Sequence, residues 1–227
     1  MTEVGESKAA SFSRVILYEK CPASYEWQYE LGNKQPFDPN GAAARGLRMH
    51  DAVEQWHLGK ADLEEEWVTP KIAKHLNTYY NDPKWVAIPE FEFALTKDWE
   101  PTEFDAEDAY IRGYMDCLFV NESENLLAID EYKSGQEWPE HPDQKALYGM
   151  VAMILYPLVN SVPAVGVYFD KNKLVPTTYN RPALFSMKMN WKRRIDRMAI
   201  PMYPARPGRH CMWCPKSYKK GGPCQLG

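Results

Sequence analysis

Cysteine is scarce in this chain: five residues in 227, an odd number without the spacing of a disulfide framework. That excludes a small secreted scaffold and leaves thiols or metal ligands as the use for these cysteines. Long hydrophobic runs are lacking as well. The longest, Ala146 to Val159, covers 14 residues and carries Tyr148, Gly149 and Pro157, short of the roughly 20 apolar residues that span a bilayer. There is no internal repeat and no P-loop, and the first residues show neither the apolar stretch of a secretory leader nor an Arg-rich amphipathic pattern. What is present, 44% hydrophobic and 26% charged residues, is the composition of a soluble globular protein with a sizeable core. The expectation is a cytoplasmic protein with a disordered tail over residues 1–10 and a single domain over residues 11–227.

A net charge of −4 argues against a general nucleic-acid coat. The distribution is uneven, however. From Lys188 to Lys220 ten Lys and Arg face a single acid, Asp196, so this segment carries +9 and the remainder −13. A basic segment on an acidic body suits a localised anion-binding face, although a solvated helix face has the same composition. Trp191, Tyr203, Trp213 and Tyr218 are interleaved with these cations, as in grooves that stack the bases of single-stranded DNA. They could equally pack around the nearby cysteines.

Periodicity gives the elements. Ser11 or Ser13 caps a short helix with Phe12, Ile16 and Leu17 on its apolar side. A second helix runs from Ala42 to Leu58 with Leu47, Met49, Val53 and Trp56 inward, ended by Gly59, and a third covers Glu64 to Tyr80. Strands follow at Ala87–Leu95, Ala109–Val120 and Leu126–Lys133, then a core helix over Pro142–Tyr156. Two short strands, Ala164–Asp170 and Lys173–Tyr179, and a basic helix over Ala183–Met198 complete a mixed α/β fold of four or five strands flanked by helices.

The strongest chemical signal lies in Gly113-Tyr-Met-Asp116 and Ile129-Asp-Glu131-Tyr-Lys133-Ser-Gly135. A hairpin centred between Ser123 and Glu124 pairs positions that sum to 247, which sets Asp116 opposite Glu131, with Lys133 beside it on the same face. Leu118, Val120, Leu127 and Ile129 continue that face into the core. Like charges placed opposite one another destabilise a sheet unless compensated, and Mg²⁺ or Mn²⁺ with hard oxygen ligands is the natural compensator. Lys133 would then steady charge developing at a scissile phosphate. A salt bridge ending a strand pair is the plainer alternative. Glu90 could lie on the neighbouring strand as a further acid, or simply at its edge.

Asp116 followed by Glu131-Tyr132-Lys133 and Ser134-Gly135 resembles the core of the PD-(D/E)xK nuclease superfamily, with its restriction-endonuclease-like sheet. Arg45-Gly46 and His50 resemble the helical histidine motif of the RecB-type branch, and Gln144-x3-Tyr148 resembles its Gln-x3-Tyr motif. Cys21 near one end, with Cys211-x2-Cys214 and Cys224 near the other, resembles the iron-sulfur staple of the AddB nuclease domain and of CRISPR-associated RecB-like exonucleases. The match runs over residues 11 to 224. It implies a metal-dependent exonuclease acting on DNA ends, single-stranded ones first, in recombination, repair or CRISPR-like processing, in a bacterial or phage-infected cytoplasm. Proteins of recombination or CRISPR adaptation are the implied partners.

The resemblance makes His50, Asp116 and Glu131 the metal ligands, joined by the Tyr132 carbonyl, and gives Lys133 a catalytic role; Gln144, Tyr148 and Arg45 would meet DNA. A separate site of His50, Glu54 and His57 is the competing reading of the histidines. Four thiolates could hold a [4Fe-4S] cluster or zinc, and the nine residues between Cys214 and Cys224 exceed the family's shorter gap. Cys117 points to the opposite strand face and reads as core. A non-catalytic nucleic-acid binder or assembly protein that keeps the fold is the alternative to the enzyme.

Overall fold

The computed structural model describes residues 9–34, 37–63 and 67–226. Among the described residues, six α-helices and five strands follow in order: α1 (Phe12–Lys20), α2 (Pro22–Tyr25), α3 (Ala42–His57), α4 (Pro70–Tyr80), β1 (Val86–Thr96), β2 (Ala109–Asn121), β3 (Leu126–Lys133), α5 (His141–Leu155), β4 (Ser161–Tyr168), β5 (Lys173–Asn180) and α6 (Leu184–Met198). The strands form one sheet in sequence order. Only the β3–β4 pair is parallel, bridged by the crossover helix α5 that such a pair requires.

The hairpin of β2 and β3 has the register read from the sequence: Asn121 pairs with Leu126 and Cys117 with Asp130. Its turn is a short 3₁₀ segment capped by the Asn121 side chain, whose Oδ1 accepts from the Glu124 N–H, and closed by Asn125 in the left-handed region at φ 52°. Alternation then divides the core. One face packs Leu118, Val120, Leu127 and Ile129 against α1, α5 and α6, while the other packs Cys117, Phe119, Ala128 and Tyr132 against α3 and α4. Fully burying a side chain such as Leu118 or Ile129 contributes about 1.5–3 kcal/mol, so a one-residue slip of either strand is strongly disfavoured.

Several expectations need correction. Residues 1–8 lie outside the described set, but Ala10 is no tail: it is buried and bridges β2, its N–H donating to the Tyr110 carbonyl and its carbonyl accepting from Arg112. In α1 the buried residue is Val15, with Ser11 capping as expected by accepting from the Arg14 N–H. Leu47 is 62% exposed, because the buried stripe of α3 runs Ala44, Met49, Val53 and His57. α4 begins at Pro70 behind the cap Thr69, later than the expected Glu64, and residues 64–66 lie outside the described set. Trp191 sits in the core, 1% exposed and stacked under Arg194, so it is closed to DNA. Among the described residues, no helix is long and apolar enough to cross a membrane.

Candidate active site

The regular sheet breaks down around Asp116. On one side the β1–β2 ladder passes from Pro89–Cys117 to Phe91–Met115 without pairing Glu90 to Asp116, and Glu90, which follows Pro89, adopts φ 47°, a conformation that costs a non-glycine residue energy and re-aims its side chain. On the other side the β2–β3 ladder ends at Cys117 and Asp130. The Tyr132 N–H donates instead to Asp116 Oδ2 at 2.6 Å. Both departures turn carboxylates toward the same opening.

α3 brings His50 to that opening, with Nδ1 3.4 Å from Asp116 Oδ1 and 3.9 Å from Glu90 Oε1. These three residues each offer a ligand atom, all within 4.8 Å of one another. Donors about 2.1 Å from one small divalent cation sit roughly 3–4.2 Å apart, so this set is close to what an ion would gather. Glu131 lies on the next strand, 1% exposed; one of its oxygens takes the Lys133 ammonium and the other, Oε2, is buried without a partner among the described residues.

The electrostatics follow from crowding charge into a buried place. Burial, reinforced by the Asp116 charge, lifts the Glu131 carboxyl to about 8, and burial also raises Asp116 against the pull of His50 and Lys133. Burial alone would lower His50 and Lys133, but the carboxylates facing each outweigh it and raise both. The site therefore holds more protons than its residue types suggest, in positions where a cation would displace them.

Around this centre the structure adds a wall that sequence reasoning missed. Tyr168 on β4 is the register partner of Lys133, and its ring lies over Gly166, the partner of Glu131, so closely that a β-carbon at 166 would fall 2.9 Å from it. The Tyr168 hydroxyl bonds His141 Nδ1 at 2.8 Å. Burial, then the Lys133 charge, depresses His141 to about 4. Gln144 donates to the Tyr148 hydroxyl at 3.0 Å, and the two residues line a groove along α1 with Phe12, Arg14, Arg112 and Tyr114. Arg45 lies elsewhere, ion-paired to Asp170 at 2.7 Å and stacked on Trp67. His57 does not join His50: its Nε2 is 2.7 Å from the Tyr132 hydroxyl, and burial lowers its pKa to about 4.

Cys21, Cys211, Cys214 and Cys224 line one cavity, together with His210 and Lys216, at the junction of the chain's two ends. Backbone N–H groups of Arg206 and Gly208 point at the Cys21 and Cys211 sulfurs, each at 3.4 Å. Arg194, by contrast, serves the fold, since it pairs with both Glu19 and Asp143. Of the interleaved aromatics, Trp213 and Tyr218 are exposed, and Tyr203 stacks near Tyr25.

The sequence profile of the PD-(D/E)XK nuclease superfamily matches residues 9–217, and the chain belongs to that superfamily. The solved structure of SSO0001 superimposes with a TM-score of 0.50 at 16% identity, covering 99% of this chain and 90% of its own, a likeness of fold. The "Putative exonuclease" from Eubacterium rectale reaches 0.49 at 11% identity over 91% and 89% of the two chains. No curated protein matches the sequence.

Proposed function

We propose that the protein is a Mg²⁺- or Mn²⁺-dependent deoxyribonuclease that removes nucleotides from DNA ends, single-stranded ones first, with His50, Asp116 and Glu131 as metal ligands. The observations that carry this are the three donor atoms gathered by His50, Glu90 and Asp116 and, on the adjoining strand and outside that trio, the buried Glu131 oxygen left without a partner among the described residues. Buried polar atoms in native proteins almost always have a partner, and a hard cation would supply one. Glu90 is added to the expected ligand set because its strained backbone directs it there.

When bound, the cation supplies Lewis-acid activation of water and neutralises phosphate charge. Glu131 must release its proton to receive it. Lys133, held against Glu131, offers its ammonium to the anionic transition state, and Tyr168 with His141 closes the side of the site behind it. Gln144 and Tyr148 at the groove are placed for contacts to the strand, and exposed Tyr114 on β2 offers a ring for a base.

The four cysteines are the ligands of a [4Fe-4S] cluster in this reading. Among the described residues no three of their sulfurs lie within 4.8 Å of one another, whereas a tetrahedral zinc with Zn–S near 2.3 Å holds thiolates about 3.8 Å apart. The N–H groups aimed at sulfur favour thiolate in either case.

The test is a metal screen with end-labelled single- and double-stranded DNA. Stepwise shortening of the single strand with Mn²⁺ or Mg²⁺, abolished by EDTA, is expected. An intact strand with cluster-loaded protein would leave a nucleic-acid binder. Absorbance near 400 nm after anaerobic purification separates iron-sulfur from zinc, and its absence from metal-replete protein would overturn the cluster.

A further inference from the structure

Tyr132 lies between Glu131 and Lys133 yet points the other way, into the core on the far face of the sheet. It is nonetheless connected to the site at two points, and to the helix that carries His50 at a third. Its N–H holds Asp116; its ring meets that of His50 edge-on, with centroids 6.5 Å apart; and its hydroxyl bonds His57. His57 and His50 share α3, seven residues or about two turns apart, roughly 10 Å along the axis.

From this we infer that the His57–Tyr132 hydrogen bond is a latch: it fixes the rotation and height of α3 against β3, and so sets where His50 presents its metal-binding nitrogen.

The surroundings support a specific role. Both partners are buried, and His57 Nδ1 has no partner among the described residues, so the Tyr132 hydroxyl is the polar tie between the end of α3 and the sheet. The Cys117 thiol on β2 also neighbours the hydroxyl, and the Asp130 and Asp116 charges act on it. Hydrophobic contacts of Met49 and Val53 press α3 onto the sheet without direction, whereas a 2.7 Å bond fixes distance and azimuth. A mis-set helix would misplace His50 while leaving Asp116, Glu131 and Lys133 on their strands. His57 and the Tyr132 side chain are positioning groups, as neither faces the site.

The inference rests on the metal reading above, and the experiment separates the two. Mn²⁺ binding is measured by calorimetry without DNA on wild type, Tyr132→Phe, His50→Ala and the double variant, with thermal unfolding as a check of fold. Tyr132→Phe, which keeps the ring, should weaken Mn²⁺ binding about tenfold, a typical effect of residues that orient a ligand. In the His50→Ala background it should cost nothing further. An equal loss in both backgrounds, or none in either, overturns the latch. If wild type binds no Mn²⁺, the metal reading falls and takes the latch with it. If Tyr132→Phe does not fold, His57→Gln and His57→Leu decide: Gln, able to bond the hydroxyl, should bind Mn²⁺ more tightly than Leu, and equal affinities would refute the inference.

Discussion

The mouth of the sheet and the cysteine-bearing cavity are built in opposite ways. At the mouth, Glu131 and Lys133 are held by the β3–β4 ladder and Asp116 by the Tyr132 N–H, and Lys133 is paired with Glu131 before any ion arrives. At the cavity, four thiols converge on loops and short turns with little core beneath them, and Gly222 is pressed so near the Lys216 backbone that a β-carbon there would fall 2.3 Å from it. The first region is held by polypeptide; under the proposed cluster, the second would depend on what the sulfurs bind. Removing a ligand should therefore abolish chemistry in one place and stability in the other.

The largest expected effect is at the mouth. Glu131→Ala and Lys133→Ala should each lower cleavage of end-labelled DNA at least about a thousandfold with little change in melting temperature. Retained cleavage would remove them from the mechanism. Next, Cys214→Ala should cost on the order of 3 kcal/mol, since the proposed cluster would close a loop of most of the chain. For a protein of this length that is roughly 6–12 °C in Tm, read by calorimetry, and an unchanged melting point would erase the contrast between the two regions.

The pH response sharpens the comparison. The Glu131 carboxyl is pushed up to about 8 from an ordinary 4.5. Between those values the folded protein binds a proton that the unfolded chain has released, so this group makes metal-free stability fall as pH rises. A cation that replaces the proton reverses the loss. Mn²⁺ should thus raise Tm more at pH 8.5 than at pH 6, and its affinity should increase over the same interval. A shift independent of pH would mean that Glu131 is not displaced by metal. The smallest effect is Ser11→Ala, which removes a helix cap and should cost about 1 kcal/mol, seen as a few degrees in Tm without loss of cleavage.

Strand positions were legible because period two and the turn at Asn121–Asn125 leave one good register, and that register brings Asp116 toward Glu131. Glu90 was half legible: its strand could be read, but its left-handed backbone could not. Leu47 was misplaced because several apolar residues around α3 permit more than one stripe, and packing against the sheet chose Met49 and Val53. Trp191 fell to the same ambiguity, since an aromatic among cations fits a DNA groove and a core equally well in sequence. His57 with Tyr132, and His141 with Tyr168, lie 75 and 27 residues apart, and no local pattern announces such pairs. Arg45 had a motif to recommend it and an Asp170 partner that only folding reveals.

Gly166 shows how an omitted atom can define a site. With hydrogen in place of a methyl group, the aromatic ring two residues on can come within 2.9 Å of where a β-carbon would stand, across from the acid and the ammonium on the next strand. Alanine would lift that ring and loosen the enclosure without touching a charged group, so the tolerance of this floor is about one carbon atom.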